Sequence, residues 1–217
     1  MVDEVIAIWK PKDISSYDVV KQVKLIKKSK QVGHCGTLDP FAEGILVVCI
    51  GKYTKNVDDF MNCTKRYKAK ILLGVETDTL DIEGEVIRKD YPKNITKHNI
   101  KKTLSTFKGS QNQIPPYFCA KKIHGVKMYK LARKDIFIKR KPNNVYIEDI
   151  EFIDYSNKIL TLSITCGKGT YIRSLSRDIA YSLGTYGHLI YLERYQVGDF
   201  NKNNSITLKE LKYDWFK

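Results

Sequence analysis

One stretch of the chain sets a single carboxylate among glycines: Gly33-His34-Cys35-Gly36-Thr37-Leu38-Asp39-Pro40-Phe41-Ala42-Glu43-Gly44, running into the apolar segment Ile45-Leu46-Val47-Val48-Cys49-Ile50. Glycine reaches backbone conformations that other residues adopt only with strain. Pro40 fixes its own φ and pushes Asp39 away from the α region. Such a loop can hold one aspartate in a fixed direction at the rim of a sheet, which makes Asp39 the first candidate for chemistry. The pair alone leaves the alternative open, because Asp-Pro is a common turn and Asp a common helix cap.

A second candidate is Gly167-Lys168-Gly169-Thr170, placed before a helix. The phosphate-loop spacing G-x-x-x-x-G-K-[ST] is absent. What remains is a helix N-terminus with open amide donors and Arg173 in its first turn, a fair place for a carboxylate or phosphate. The five cysteines, Cys35, Cys49, Cys63, Cys119 and Cys166, show no C-x-x-C and no paired histidine spacing. That argues against a zinc site or a disulfide framework. Cys49 and Cys166 lie in apolar runs and read as small buried hydrophobes. Nucleophilic chemistry at Cys35 is open but unsupported, since His34 beside it in sequence need not be beside it in space.

The 217 residues carry 38 Lys and Arg against 24 Asp and Glu, a net charge of +14. A strongly basic chain with no run near the roughly 20 apolar residues of a membrane span points to a polyanion. Basic clusters interleave with Tyr117, Phe118, Tyr129 and Phe137. Aromatic faces can stack unpaired bases while lysines follow phosphates. The N-terminus lacks the basic flank and apolar core of a signal peptide, which predicts an intracellular protein.

These side chains need elements to hold them. Val5–Trp9 reads as a strand, stopped by Lys10-Pro11. Ser15 or Ser16 caps a helix with Val19, Val20, Val23 and Ile26 on one face. Ile45–Ile50 reads as a buried strand, residues 54–61 as a short helix, and Tyr67–Leu73 as a strand with one wet face. Asp78–Gly84 is a turn before a returning strand at 85–87, and Thr96 caps a helix carrying Ile100, Leu104 and Phe107. A long irregular section follows from Gly109 to about Gly125, of the kind that is usually functional. Val145–Phe152 and Ile159–Cys166 pair antiparallel, a helix spans 171–183, and a last strand covers 189–197. Without regular βαβ alternation this is an α+β fold with a largely antiparallel sheet.

Taken together, the segments resemble the TruB family of tRNA pseudouridine synthases. The glycine loop, the strand Lys65-Arg66-Tyr67-Lys68-Ala69 and the helix start Gly169-Thr170-Tyr171-Ile172-Arg173-Ser174-Leu175 carry the likeness. So do Lys10-Pro11, Ser15-Ser16-x-Asp18-Val19-Val20, Thr77-Asp78-Thr79, Ile114-Pro115-Pro116 with Ala120-x-Lys122-x-x-Gly125, Tyr129-x-x-Ala132-Arg133 and Gly198-x-Phe200. These matches run in order over nearly the whole chain.

The resemblance implies isomerisation of uridine 55 in the tRNA T-loop, within one catalytic domain over residues 1–217. It implies the pseudouridine synthase fold: a mixed, largely antiparallel central sheet, flanking helices and an RNA-gripping loop at about 109–130. Asp39 would be the nucleophile, Tyr67 the active-site tyrosine and Arg173 the partner of the aspartate. Tyr171 and Leu192 would line the uracil pocket. His34, Gly36, Thr37 and Leu38 would support the T-loop, with Lys122 and Arg133 on the RNA. The reaction oxidises nothing and adds nothing, so no metal and no cofactor are expected. The implied partner is the tRNA T-arm, bound by a monomer without a protein partner or a membrane, in the cytoplasm or an organelle matrix.

Departures from the family pattern are Cys35 for a usual Thr, Asp13 for a common glycine and Glu193 for a usual arginine, and the chain is expected to lack the family's C-terminal RNA-binding (PUA) domain. The rival readings are a tRNA-folding chaperone on the same scaffold and a guide-RNA-dependent rRNA pseudouridine synthase. Only an enzyme needs Asp39, Tyr67 and Arg173 together.

Overall fold

The run Ile45–Ile50 is apolar at every position because both of its faces are covered. In the computed structural model, which describes residues 3–215, Leu46, Val48 and Ile50 pack with Ile8, Val19, Val23 and Leu211. Ile45, Val47 and Cys49 point the other way and pack with Ala7, Cys35 and Val197. A strand buried on both sides loses the hydrophobic alternation that a half-exposed strand shows.

In chain order the elements begin with β1 (Glu4–Lys10), α1 (Ser16–Ile26), β2 (Val32–His34), β3 (Glu43–Ile50), α2 (Val57–Asn62) and β4 (Lys65–Leu73). The middle of the chain forms β5 (Val75–Thr77), β6 (Val86–Lys89), α3 (Lys97–Ser105), β7 (Gly109–Gln113), β8 (Lys122–Ile123), β9 (Val126–Lys127), α4 (Met128–Ala132), β10 (Asn143–Ser156), β11 (Ile159–Cys166) and α5 (Ile172–Ser182). The end supplies β12 (Gly187–Val197), β13 (Phe200–Asn201), β14 (Ile206–Thr207) and α6 (Leu208–Trp215).

These elements divide into two units, one made of residues up to 68 and from 192 onward, the other of 69–191. In the first unit β1 pairs antiparallel with β3 and parallel with β14, while the end of β12 runs parallel to β3. β2 lies antiparallel to β3. In the second unit β10 is flanked antiparallel by β11 and β7, and α3 packs against β10. The fold is α+β with mixed strand pairing, as the sequence leads one to expect.

Most expected elements form. Tyr67, Ala69, Ile71 and Leu73 of β4 are buried while Arg66 and Lys68 are exposed, which is the expected one wet face. Ser15 is the cap of α1, and Asp18 completes a capping box with it. Three differences stand out. Residues 109–113 are a strand, not irregular, because they pair with Asn143–Ile147 of β10. The segment after it contains the β8–β9 hairpin and α4, and the Arg140 guanidinium donates to the Pro115 carbonyl. The strand at 189–197 is not the last element, because β13, β14 and α6 follow it. Leu211 of α6 completes the apolar layer on β3.

Candidate active site

The loop before β3 is fixed along its whole length. Arg194, on β12, is 1% exposed; its Nη2 donates to the Gly36 carbonyl (3.1 Å), its Nη1 to the Thr37 carbonyl (3.3 Å) and its Nε to the Ile45 carbonyl (2.7 Å). Ser16, the first residue of α1, donates to the Leu38 carbonyl and accepts from the Leu38 amide, both at 2.9 Å. The Ala42 amide donates to the Asp39 carbonyl (3.2 Å). The fully buried Lys10 ammonium donates to the Pro40 carbonyl (3.1 Å) and to those of Pro11 and Ile14 (2.8 Å each). The Asp13 amide also reaches Pro40 (2.9 Å).

Every carbonyl from Gly36 to Pro40 therefore has a donor, so the backbone that carries Asp39 is held on both sides. Buried cations satisfy the carbonyls of Gly36, Thr37 and Pro40 because a guanidinium or an ammonium offers several donors from one point. Glycine is required where this framework is tightest. Gly44 has φ +114°, and a Cβ there would lie 2.3 Å from the Arg194 carbonyl oxygen. Asp13 takes φ +64°, the left-handed region that a glycine would enter at no cost and that Asp tolerates better than most residues.

The neighbours of Asp39 fall as follows. His34 ends β2 half-buried, opposite Val48, and Thr37 is exposed. Leu38 is 3% exposed, so its side chain anchors the loop while its backbone is taken by Ser16. Tyr67 is buried on β4, and Leu192 is buried on β12, on the same face as Arg194. Cys35 is fully buried with its Sγ 3.3 Å from that of Cys49. Burial pushes both thiols up, which removes the thiolate that nucleophilic chemistry needs. Cys35 is a packing residue.

In the second unit Arg173 sits in the first turn of α5 and is 4% exposed. Its Nη1 donates to the Thr79 carbonyl (3.0 Å), its Nη2 to the Phe118 carbonyl (2.8 Å), and it forms an ion pair with Asp81 at 3.3 Å. Asp81 is itself fixed, accepting from the Thr79 hydroxyl (2.5 Å) and the Glu83 amide (3.0 Å). Tyr171 is the N-cap of α5, and the side chain of Gln113 pairs with its backbone amide and carbonyl. Lys122 and Arg133 are exposed on β8 and at the end of α4. Beyond β7, the Arg140 guanidinium lies 3.4 Å from the Tyr117 ring centroid, and Tyr117 meets Phe137 edge-on at 4.9 Å. The structure thus seats Asp39, Tyr67 and Leu192 in one unit, and Tyr171 and Arg173 in the other.

Sequence reasoning missed Arg194, Asp81 and Gln113, and it read Lys10 only as part of a motif. One signal was available: along a strand, positions two apart share a face, which places Arg194 with Leu192. The others carry no local signature, since a buried polar residue resembles an exposed one until its partners are known.

The family model for the TruB family pseudouridylate synthase N-terminal domain matches residues 24–172. The chain belongs to the TruB family. A second model of that family, for the tRNA pseudouridylate synthase B C-terminal domain, matches residues 173–216. The tRNA pseudouridine synthase B of Clostridium tetani (strain Massachusetts / E88) is 42% identical over 207 residues, covering 95% of this chain and 72% of that protein. That of Caldanaerobacter subterraneus subsp. tengcongensis is 42% identical over 212 residues, covering 97% and 74%. Among solved structures, the TruB chain is similar to the crystal structure of a Cbf5-Nop10-Gar1 complex, with a TM-score of 0.75 and 26% identity. There it covers 98% of its own length and 54% of the matched chain, so it spans about half of that protein.

Proposed function

We propose that this TruB-family chain converts a tRNA uridine to pseudouridine, at position 55 of the T-loop, with residues 1–217 as its catalytic domain. The observation that carries the reading is the immobilised Asp39: a loop with a donor on every carbonyl from Gly36 to Pro40 presents one carboxylate. Two relatives about 42% identical to it are tRNA pseudouridine synthases B, which supports the substrate class.

The reaction breaks the C1′–N1 bond and remakes a bond from C1′ to C5 of the same base. A carboxylate assists the break by attack on, or stabilisation of, the electron-poor sugar carbon, as in retaining glycosidases. Uracil leaves as a delocalised anion, so the second, acidic carboxyl of a glycosidase is dispensable. Asp39 takes the carboxylate role. Arg173 takes the role of its orienting partner through charge-assisted hydrogen bonds, and its guanidinium is itself paired with Asp81. Tyr67 stacks on the base and moves a proton as C5 replaces N1. Tyr171 and Leu192 line the uracil pocket.

The target base must leave its stack, at a cost of a few kcal/mol offset by phosphate contacts and stacking in the pocket. Lys122, Arg133 and the Tyr117–Arg140 stack sit on the segment that grips the RNA, while His34 and the Gly36–Leu38 backbone support the T-loop. The enzyme works as a monomer on the tRNA T-arm, in the cytoplasm or an organelle matrix. Among the described residues no helix is long and apolar enough to cross a membrane.

The test is direct. Purified protein is incubated with an unmodified tRNA transcript and pseudouridine is mapped, for wild type and Asp39→Asn. Product at the T-loop uridine from wild type alone is the expected result. Equal product from both removes Asp39 as the nucleophile, and product elsewhere removes the T-loop assignment.

A further inference from the structure

Gln113 is the last residue of β7 and is 4% exposed. Its amide oxygen accepts from the Tyr171 amide at 2.8 Å, and its amide nitrogen donates to the Tyr171 carbonyl at 3.1 Å. One side chain thereby forms the reciprocal pair that a strand residue would form with its neighbour. The N-cap of α5 carries no side-chain cap of its own, so a residue 58 positions away fixes the start of this helix. A buried amide costs free energy unless both its ends are bonded, and here both ends meet the backbone of the same residue.

The contacts continue from that point. The Ser174 hydroxyl donates to the Ile114 carbonyl (2.8 Å), and Arg173 Nη2 donates to the Phe118 carbonyl (2.8 Å). Tyr171, Arg173 and Ser174 are thus each bonded to the stretch Gln113–Phe118, the root of the gripping segment. That root is not free to drift, because Gln113 is in register with Asn143 on β10. Two independent supports meet at Tyr171: the helix, whose Leu175 amide also bonds the Tyr171 carbonyl (3.0 Å), and the strand, through Gln113.

We infer that Gln113 is a positioning residue for the reaction: it sets the backbone of Tyr171, and with it the uracil-facing side chain, relative to the root of the RNA-gripping segment. The inference rests on the tRNA-uridine isomerisation proposed above. Both ends of the Gln113 amide are engaged by the Tyr171 backbone, so its removal acts on the chemical step through Tyr171. Misplacement of a substrate-positioning group by about 1 Å can lower a rate by about 100-fold.

The experiment is single-turnover pseudouridine formation on an unmodified tRNA transcript at saturating protein, with tRNA affinity measured separately by filter binding. Gln113→Leu loses both bonds, whereas Gln113→Glu keeps the acceptor and loses the donor. The expected result is a rate constant about 10- to 100-fold lower for Gln113→Leu. The glutamate variant should fall between it and wild type, and both variants should keep the tRNA affinity within about threefold. A role in folding alone leaves the rate constant at saturating protein unchanged and raises only the total protein needed to reach saturation. That outcome overturns the inference, as does a loss confined to affinity. If Gln113→Leu does not fold, Gln113→Glu decides: a several-fold lower rate constant supports the inference and a wild-type rate constant overturns it. A wild type that forms no pseudouridine removes the underlying reading and the inference with it. A productive wild type with unaffected variants removes the inference alone.

Discussion

The Ser16 hydroxyl and the Leu38 peptide group bond each other in both directions, at 2.9 Å each way. Both residues are buried, and Leu38 is the residue before Asp39. The start of α1 therefore helps to fix the backbone from which the aspartate projects. Replacing Ser16 by alanine leaves a buried amide and a buried carbonyl without that partner. The expected loss is about 1–3 kcal/mol of stability, measured by urea unfolding. With it goes a fall of about tenfold in single-turnover rate, from the misdirected carboxylate.

Arg194 secures the other side of the loop. Arg194→Lys keeps the charge but offers a compact ammonium in place of a planar fork, and it cannot span the carbonyls of Gly36, Thr37 and Ile45 together. We expect a rate constant lower by about 10-fold or more, with tRNA affinity little changed. Rate and binding assays on the same preparation check this. Equal loss in both would place Arg194 in RNA binding instead.

The two glycines Gly44 and Gly109 share a positive φ but differ in surroundings. A Cβ at Gly44 would lie 2.3 Å from the Arg194 carbonyl oxygen, whereas one at Gly109 meets nothing within 4 Å. Gly109→Ala should cost only the backbone strain, about 1–2 kcal/mol. Gly44→Ala should exceed about 4 kcal/mol, because the β3–β12 pairing has to open. Thermal unfolding of the two variants side by side distinguishes strain from collision.

Asp18 ties α1 to acid stability. Its carboxyl is held at about 2, first by the Lys21 ammonium and then by the Ser15 hydroxyl. In the unfolded chain the same group takes its proton near pH 4. Between those values the unfolded state binds more protons, so stability rises with pH there. The contribution is present above about pH 4 and is lost as pH falls toward 2. Unfolding midpoints across that range should show a flatter acid limb for Asp18→Asn than for wild type.

The thiols should separate cleanly by accessibility. Cys35, Cys49, Cys119 and Cys166 are buried, and Cys63 is half-buried. A thiol reagent added to the native protein at neutral pH should modify Cys63 alone and quickly, with the other four reacting after denaturation. Fast native modification of Cys35 would contradict its place in the core between β2 and β3.

How much could be read beforehand depended on where each signal resides. The wet face of β4, the cap at Ser15 and the burial of Ile45–Ile50 follow from local periodicity and side-chain chemistry, and they form as expected. The strand at 109–113 did not show, because Gly109-Ser110-Gln111-Asn112-Gln113 has no hydrophobic alternation. Its pairing with β10 supplies what its sequence lacks. Asp39, which the proposed chemistry uses, was singled out by its glycines and Pro40. Arg194, Lys10, Asp81 and Gln113 were not, since each acquires meaning only from partners distant in the chain.

By itself the sequence determined the α+β class, the basic character, the family and the carboxylate on which the proposed chemistry turns. Those depend on residue type and short spacing, which a linear chain displays. The tertiary structure decided what holds the backbone around that carboxylate: a serine at the start of a helix, a buried lysine at the end of β1 and a buried arginine on β12. Hydrogen bonds of this kind join residues as far as 158 positions apart, and no local rule of propensity or periodicity reaches that far.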